Sequence, residues 1–236
     1  MCALARVVAI LGAAMFKRVP SECKLHFAKA YMLNSFLRDL REQRWDDHRY
    51  YHQSRINQFL HLISAMSFLV AYGVAFESPA LAALIGWVIS MGTRQSGHFF
   101  FEPKGYDHIN HATHEYKEEI KVGYNLQRKV VLMAIWASSP LLLVAQPDLF
   151  GLLTPHSGWQ DLALNVGWIW FWVGVGALAF RMLTLFVLRD VRTGIVWVCK
   201  ILTDPFHDIM LYHQSPLHLM RREWFEEPHE QERAAH

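Results

Sequence analysis

The chain has 236 residues, 53% of them hydrophobic and 19% charged, with a formal net charge of +2 at pH 7 and a mean hydropathy of +0.10. So mild a positive balance, with no basic run interleaved with aromatics, leaves no footprint for nucleic acid. The three scattered cysteines, Cys2, Cys23 and Cys199, supply neither a disulfide framework nor a thiolate zinc site, so a metal would have to be held by histidine, carboxylate or water.

The apolar residues gather in runs from which charges are nearly absent, the distribution of a polytopic membrane protein. Residues 1–16 are a short apolar stretch with Arg6 near its start and Lys17-Arg18 at its end, too short to span and expected to be an interfacial helix or a misassigned start rather than a signal peptide. From Pro20 to Tyr51, Leu25, Phe27, Tyr31, Leu33, Phe36, Leu37 and Leu40 recur among charged residues. That spacing predicts an amphipathic helix, on the membrane surface or packed in the cytosol. Residues 1–56 thus form an N-terminal interfacial region.

A first span is expected over 57–76, with His61 one turn inside and Glu77-Ser78-Pro79 ending it. The second apolar run, 80–92, reaches spanning length only if its helix continues toward Phe101. His98 and Glu102, four apart, would then share a helical face. Pro103 and Gly105 break that helix, and Asp107 is placed to cap a new one. On that new helix His111, His114, Glu115 and Glu118 would stand at i, i+3, i+4 and i+7, with His108 one step earlier. A third span, 130–145, carries a kink signal at Ser138-Ser139-Pro140, and a fourth, 162–188, has Arg181 near enough to one end to snorkel. The membrane domain is 57–188, with a histidine-rich loop at 93–129. The polar tail, 189–236, has a short amphipathic piece at 194–202 and a histidine-containing segment at 203–218. Within that segment Tyr212-His213-Gln214-Ser215 repeats Tyr51-His52-Gln53-Ser54 letter for letter.

Basic residues number nine in 17–56, six in 93–129 and six in 189–236, against none in 77–79 and 146–161. The positive-inside rule then gives four spans with both termini cytoplasmic, in a bacterial inner membrane or the endoplasmic reticulum. The expected fold is all-α, a multi-pass integral membrane protein under a histidine-rich cytoplasmic cap. His48, His52, His61, His98, His108, His111, His114, His207, His213 and His218 all fall on that side. Facing elements at one end of a bundle are a natural place for a metal site, and imidazole with carboxylate suits non-haem ferrous iron, Fe(2+).

Tyr51-His52, Asn57 five residues later and His61 four beyond it, followed after the second apolar run by Gly97-His98-x-x-Phe101-Glu102, resemble the membrane-bound 2-hydroxy fatty acid dioxygenases. The likeness covers about residues 50–103. It implies an iron-dependent, multi-pass enzyme of α-oxidation that shortens a 2-hydroxy acyl chain by one carbon with O₂. It also implies His52, His61 and His98 as iron ligands, with Glu102 and Asn57 as supporting or catalytic groups. The chain departs from the family in having Pro103 directly after Glu102, and in its His108 to Glu118 array and its 207–218 segment. Three alternatives stand beside this reading: a membrane di-iron fatty acid hydroxylase or desaturase that also uses His108, His111, His114, His207 and His213, a haem-binding membrane protein, and a metal-free scaffold.

Overall fold

A computed structural model of the chain describes residues 21–227, with side chains from Met32 onward, and the interfacial helix expected over residues 1–16 lies outside the described residues. The chain divides into two compact units, 1–41 and 42–236. Helix α1 (Ser21–Tyr51) begins in the first unit, where Met32, Leu33 and Leu37 are exposed apolar side chains. The stretch from Glu42 to Tyr51 belongs to the second unit, which contains everything described below.

In that unit the chain is helical, and the described residues include only two isolated antiparallel bridges. Helix α2 (Arg55–Ala75) follows a short elbow. Ser78 then caps α3 (Pro79–Leu84), its side chain accepting from Leu81 N–H, with proline at the first helical position where a missing N–H costs nothing. The helix continues through a π-helical stretch (Ile85–Met91), α4 (Gly92–Ser96) and a second π-helical stretch (Gly97–Phe101). Next come α5 (His114–Ile120), α6 (Leu126–Ser138), α7 (Leu141–Ala145), α8 (Trp159–Leu188), α9 (Val191–Tyr212) and α10 (Ser215–Met220).

Among the described residues, three helical stretches, Arg55–Ala75, Leu126–Ala145 and Trp159–Leu188, are long and apolar enough to cross a membrane. They match the first, third and fourth expected spans, and the break at Ser139-Pro140 falls on the expected kink. The second expected span is helical over 79–101 but is divided by its two π-helical stretches. The burial pattern is compatible with a membrane protein. Met66, Val70, Val131, Val144, Phe180 and Val187 are exposed, while Asn57, Gln58, His61 and Ser64 on α2 are buried. Polar groups turned inward with apolar groups outward suit a hydrocarbon surrounding.

An aromatic cluster joins the apolar helices. Trp87 stacks on Trp136 at 5.8 Å, Trp87 Nε1 donates to Trp170 O (2.8 Å), and Trp170 Nε1 donates to Trp136 O (3.1 Å). Elsewhere α8 and α3 touch backbone to backbone, since a Cβ at Gly167 would lie 2.3 Å from the carbonyl oxygen of Ala80. Neither backbone can yield without the helices separating. Gly167→Ala is therefore expected to destabilise by about 3 kcal/mol, the upper end for overpacking. Thermal unfolding in detergent measures this, and an unchanged midpoint would refute the close approach.

Four local expectations are corrected. Asp107 does not cap a helix: its carboxylate accepts from Ile109 N–H (3.1 Å) and Asn110 N–H (3.0 Å), forming a turn closed by the Asp107–Ala112 bridge. The helix starts only at His114, with Thr113 as its cap, so His108 and His111 do not share its face. Arg181 does not snorkel. It is buried, and Nε (3.0 Å) and Nη2 (2.5 Å) both donate to Val122 O, tying α8 to the loop before α6. The short amphipathic piece at 194–202 is part of the 22-residue α9, which runs on through Pro205.

Candidate metal centre

The repeated tetrad is a helix-elbow-helix corner in both places. Tyr51 ends α1 and Ser54 caps α2, while Tyr212 ends α9 and Ser215 opens α10. Both tyrosines are buried, but His52 is buried and His213 exposed. At the first corner the backbone of His52 is held on both sides: its N–H donates to His48 O (3.0 Å) and its carbonyl accepts from Gln58 Nε2 (2.8 Å). Tyr51 OH donates to Lys117 O (2.5 Å), anchoring the corner to α5.

Helix α2 carries His61 on its buried face, and the second π-helical stretch carries His98. The imidazoles of His52, His61 and His98 converge. Their ring centroids lie 4.0 Å (52 to 61), 5.3 Å (52 to 98) and 5.0 Å (61 to 98) apart. One nitrogen from each falls within 4.8 Å of the others, and all three residues are buried. Such a group could hold a metal ion.

Each ring faces a polar partner through Nδ1. His98 Nδ1 is 2.7 Å from Glu102 Oε2, His52 Nδ1 is 2.9 Å from Tyr212 OH, and His61 Nδ1 is 3.7 Å from Asp208 Oδ2. At His98 and His52 the outer carboxylate or hydroxyl is at hydrogen-bond distance and fixes the tautomer, turning the other nitrogen toward a metal, whereas Asp208 is only an ion-pair contact beside His61. His52 Nε2 and His61 Nε2 have no hydrogen-bond partner. A buried unpaired nitrogen costs free energy, and a metal would satisfy it. The donor set therefore fits a divalent ion of the imidazole-preferring group, which includes iron and zinc. Burial, with His61 adjacent, holds His52 well below the ordinary histidine range, which leaves it neutral and able to coordinate.

Glu102 and Asn57 support the cluster from outside it. Glu102 sits at the end of the helix, between His98 and Lys121 Nζ (3.8 Å), and burial pushes its carboxyl up from the ordinary value. Asn57 is fully buried inside the first turn of α2, where its amide donates to Tyr51 O (2.7 Å) and its Oδ1 points at Gly97. It clamps the His52 corner to the segment bearing His98.

The other candidate histidines are not drawn in. His108 and His111 are exposed in the turn before α5, His111 with a positive φ of 51°. His114 is half-buried at the start of α5, and His207 is half-buried on α9. His213 is exposed, with Nδ1 2.9 Å from Met210 O. Among the described residues the three converging histidines are the one such group.

Several residues of the centre escaped sequence reading. On α9, Lys200, Asp204, Asp208 and Tyr212 recur every four residues and form one buried stripe. Lys200 Nζ meets Asp204 (2.7 Å) and Asp47 (2.5 Å), and Arg44 Nε meets Asp204 (3.2 Å). Arg94 meets Asp208 (3.1 Å) and Asp204 (3.7 Å). Burial alone would lower the Lys200 ammonium, but Asp204 and Asp47 carry it above its ordinary range. Burial likewise pushes Tyr212 well above the ordinary phenol range, so it stays protonated. The four-residue recurrence of polar groups on an otherwise apolar helix was the available signal.

Compared with models of known protein families, with curated proteins and with solved structures, the chain matches none. Among the described residues the fold and site define an all-helical arrangement with three helices long and apolar enough to cross a membrane and a buried three-histidine cluster that could hold a metal.

Proposed function

We propose that the chain is an iron-dependent membrane oxygenase acting on a fatty acyl substrate, with a 2-hydroxy fatty acid as the preferred class. The observation that carries this reading is the convergence of His52, His61 and His98, the same three histidines that the resemblance to the 2-hydroxy fatty acid dioxygenases implies as ligands. They would hold ferrous iron, whose open coordination positions supply O₂ chemistry. Conversion of a 2-hydroxy acid and O₂ to the acid one carbon shorter, CO₂ and water balances in atoms and electrons.

The chain's own residues have definable roles in this scheme. Glu102 accepts the Nδ1 proton of His98 and orients the ring, Tyr212 does so for His52, and Arg94 holds Asp208 beside His61. Asn57 keeps the His52 corner against Gly97. The apolar helices would deliver the chain of the substrate from the bilayer, with four spans and the cluster on the cytoplasmic side. Lys129, buried near the start of α6, is the charged group that acts most strongly on His98, and the carboxylates of Glu102, Asp47 and Glu118 are its anionic neighbours.

A dinuclear centre would need further ligands, yet His108, His111 and His213 are exposed. Haem is disfavoured because rings at 4.0 to 5.3 Å leave no slot for a flat macrocycle between them. The test is metal analysis of the purified protein together with O₂-dependent turnover of 2-hydroxy and unsubstituted fatty acids. About one iron per chain and loss of the 2-hydroxy acid are expected. Two irons would instead support the dinuclear centre, and zinc without turnover would overturn the oxygenase.

A further inference from the structure

The hydrogen-bond partner of His52 does not end the chain of contacts. Tyr212 OH lies 2.9 Å from His52 Nδ1 and 3.2 Å from His48 Nδ1, so two imidazoles face one phenol oxygen. His48 Nε2, on the other side of its ring, lies 3.1 Å from Glu226 Oε2, an ion-pair contact that falls short of hydrogen-bond geometry and that a small turn of either side chain would complete. Gln58 Nε2 donates to the same carboxylate oxygen (3.2 Å), and Arg55 Nη1 is 3.8 Å from Oε1. His48, His52 and Tyr212 are each at least nine-tenths buried.

Glu226 is delivered by a strap. Residues Trp224 to Glu226 run antiparallel to the His52 corner, with Arg55 N–H donating to Trp224 O (2.9 Å) and Glu226 N–H to Gln53 O (2.9 Å). Beyond the carboxylate lies a cavity of about 270 Å³, lined by Arg55, Gln58, Ser215 and His218 among others.

We propose that Tyr212, His48 and Glu226 form a positioning relay that sets the tautomer of His52, with the Glu226 carboxylate fixing its direction. A phenol has one proton to give. If His52 is to coordinate through Nε2, its proton must sit on Nδ1 and point at the Tyr212 oxygen. The phenol proton must then point at His48 Nδ1, which puts the proton of His48 on Nε2, facing Glu226. An ionised carboxylate only accepts, so it holds every proton in that sense. A glutamine at the same place can turn its amide and donate to His48 Nε2. That would reverse the relay and place a proton on His52 Nε2, where a metal should bind. This relay presupposes that the three histidines bind a metal, but not which metal or what reaction follows.

The test is Co(II) affinity, with the visible Co(II) spectrum as a second readout, measured on the full chain in detergent. Tyr212→Phe and Glu226→Gln are each expected to weaken binding about 10- to 100-fold, the usual cost of losing an outer partner of a ligand. Glu226→Asp, which still only accepts, should recover most of the loss. Because the members act in series, Tyr212→Phe/Glu226→Gln should be no worse than Tyr212→Phe alone. Wild-type affinity and spectrum in Glu226→Gln, equal loss in Glu226→Asp, or additive losses in the double variant would each overturn the relay. His61→Ala separates the two ideas. If it abolishes binding while Glu226→Gln does not weaken it, the metal centre stands and the relay falls. If wild type and His61→Ala bind alike, both fall.

Discussion

Replacing His61 with alanine is expected to strip the chain of its metal, lowering affinity by more than the roughly 10- to 100-fold that an outer partner contributes. His61 is fully buried, lies nearest to both of the other rings at 4.0 and 5.0 Å, and has both ring nitrogens without a hydrogen-bond partner. Chelation provides a second measure. At metal 100-fold above Kd, bound metal contributes about 2.7 kcal/mol of stability, so a chelator should lower the unfolding midpoint of the wild type and leave His61→Ala unmoved. The metal-free comparison should run the other way. His61→Leu removes two buried unpaired nitrogens at similar volume, so without metal it should be at least as stable as wild type. A wild type whose midpoint ignores chelators would refute the centre.

Gly97→Ala is expected to have the second largest effect. A Cβ there would lie 2.1 Å from Asn57 Oδ1 and 3.5 Å from His61 Cδ2. Asn57 cannot swing aside cheaply, since it is fully buried and its amide holds Tyr51 O. Either Asn57 gives up that bond and frees the His52 corner, or the segment carrying His98 moves away. Both enlarge the triangle of imidazoles, so metal affinity should fall along with about 2 to 3 kcal/mol of stability. Asn57 is the obstacle, so Gly97→Ala should add little in an Asn57→Ala background. Equal losses in the two backgrounds would place the strain elsewhere.

The apolar helices were legible because they need only their own sequence: a run of apolar residues, Ser78-Pro79 to start one and Ser139-Pro140 to break another. The inner histidines were legible only through short-range spacing and likeness. Spacing misled at His108, His111 and His114, because the Asp107 side chain satisfies the following N–H groups itself and turns the chain where a helix was expected. Helix α9 was cut short for the opposite reason. Asp204 and Asp208 lie buried on it, which their pairing with Lys200 one turn away and with the distant Arg44 and Arg94 allows, and that long-range pairing is not written in the local sequence. Glu226 was illegible altogether, being brought to His48 by backbone pairing across more than half the chain.

The two π-helical stretches before and at His98 bear on how this protein can be compared with others. A π turn takes up about one residue more than an α turn. Helical direction advances roughly 100° with each residue, so one deletion between Trp87 and His98 would aim the imidazole at a different neighbour. The site is thus tied to the length of that stretch as well as to its letters. A chain with the same motifs but one residue fewer there would keep the apolar profile and still lack a third ligand.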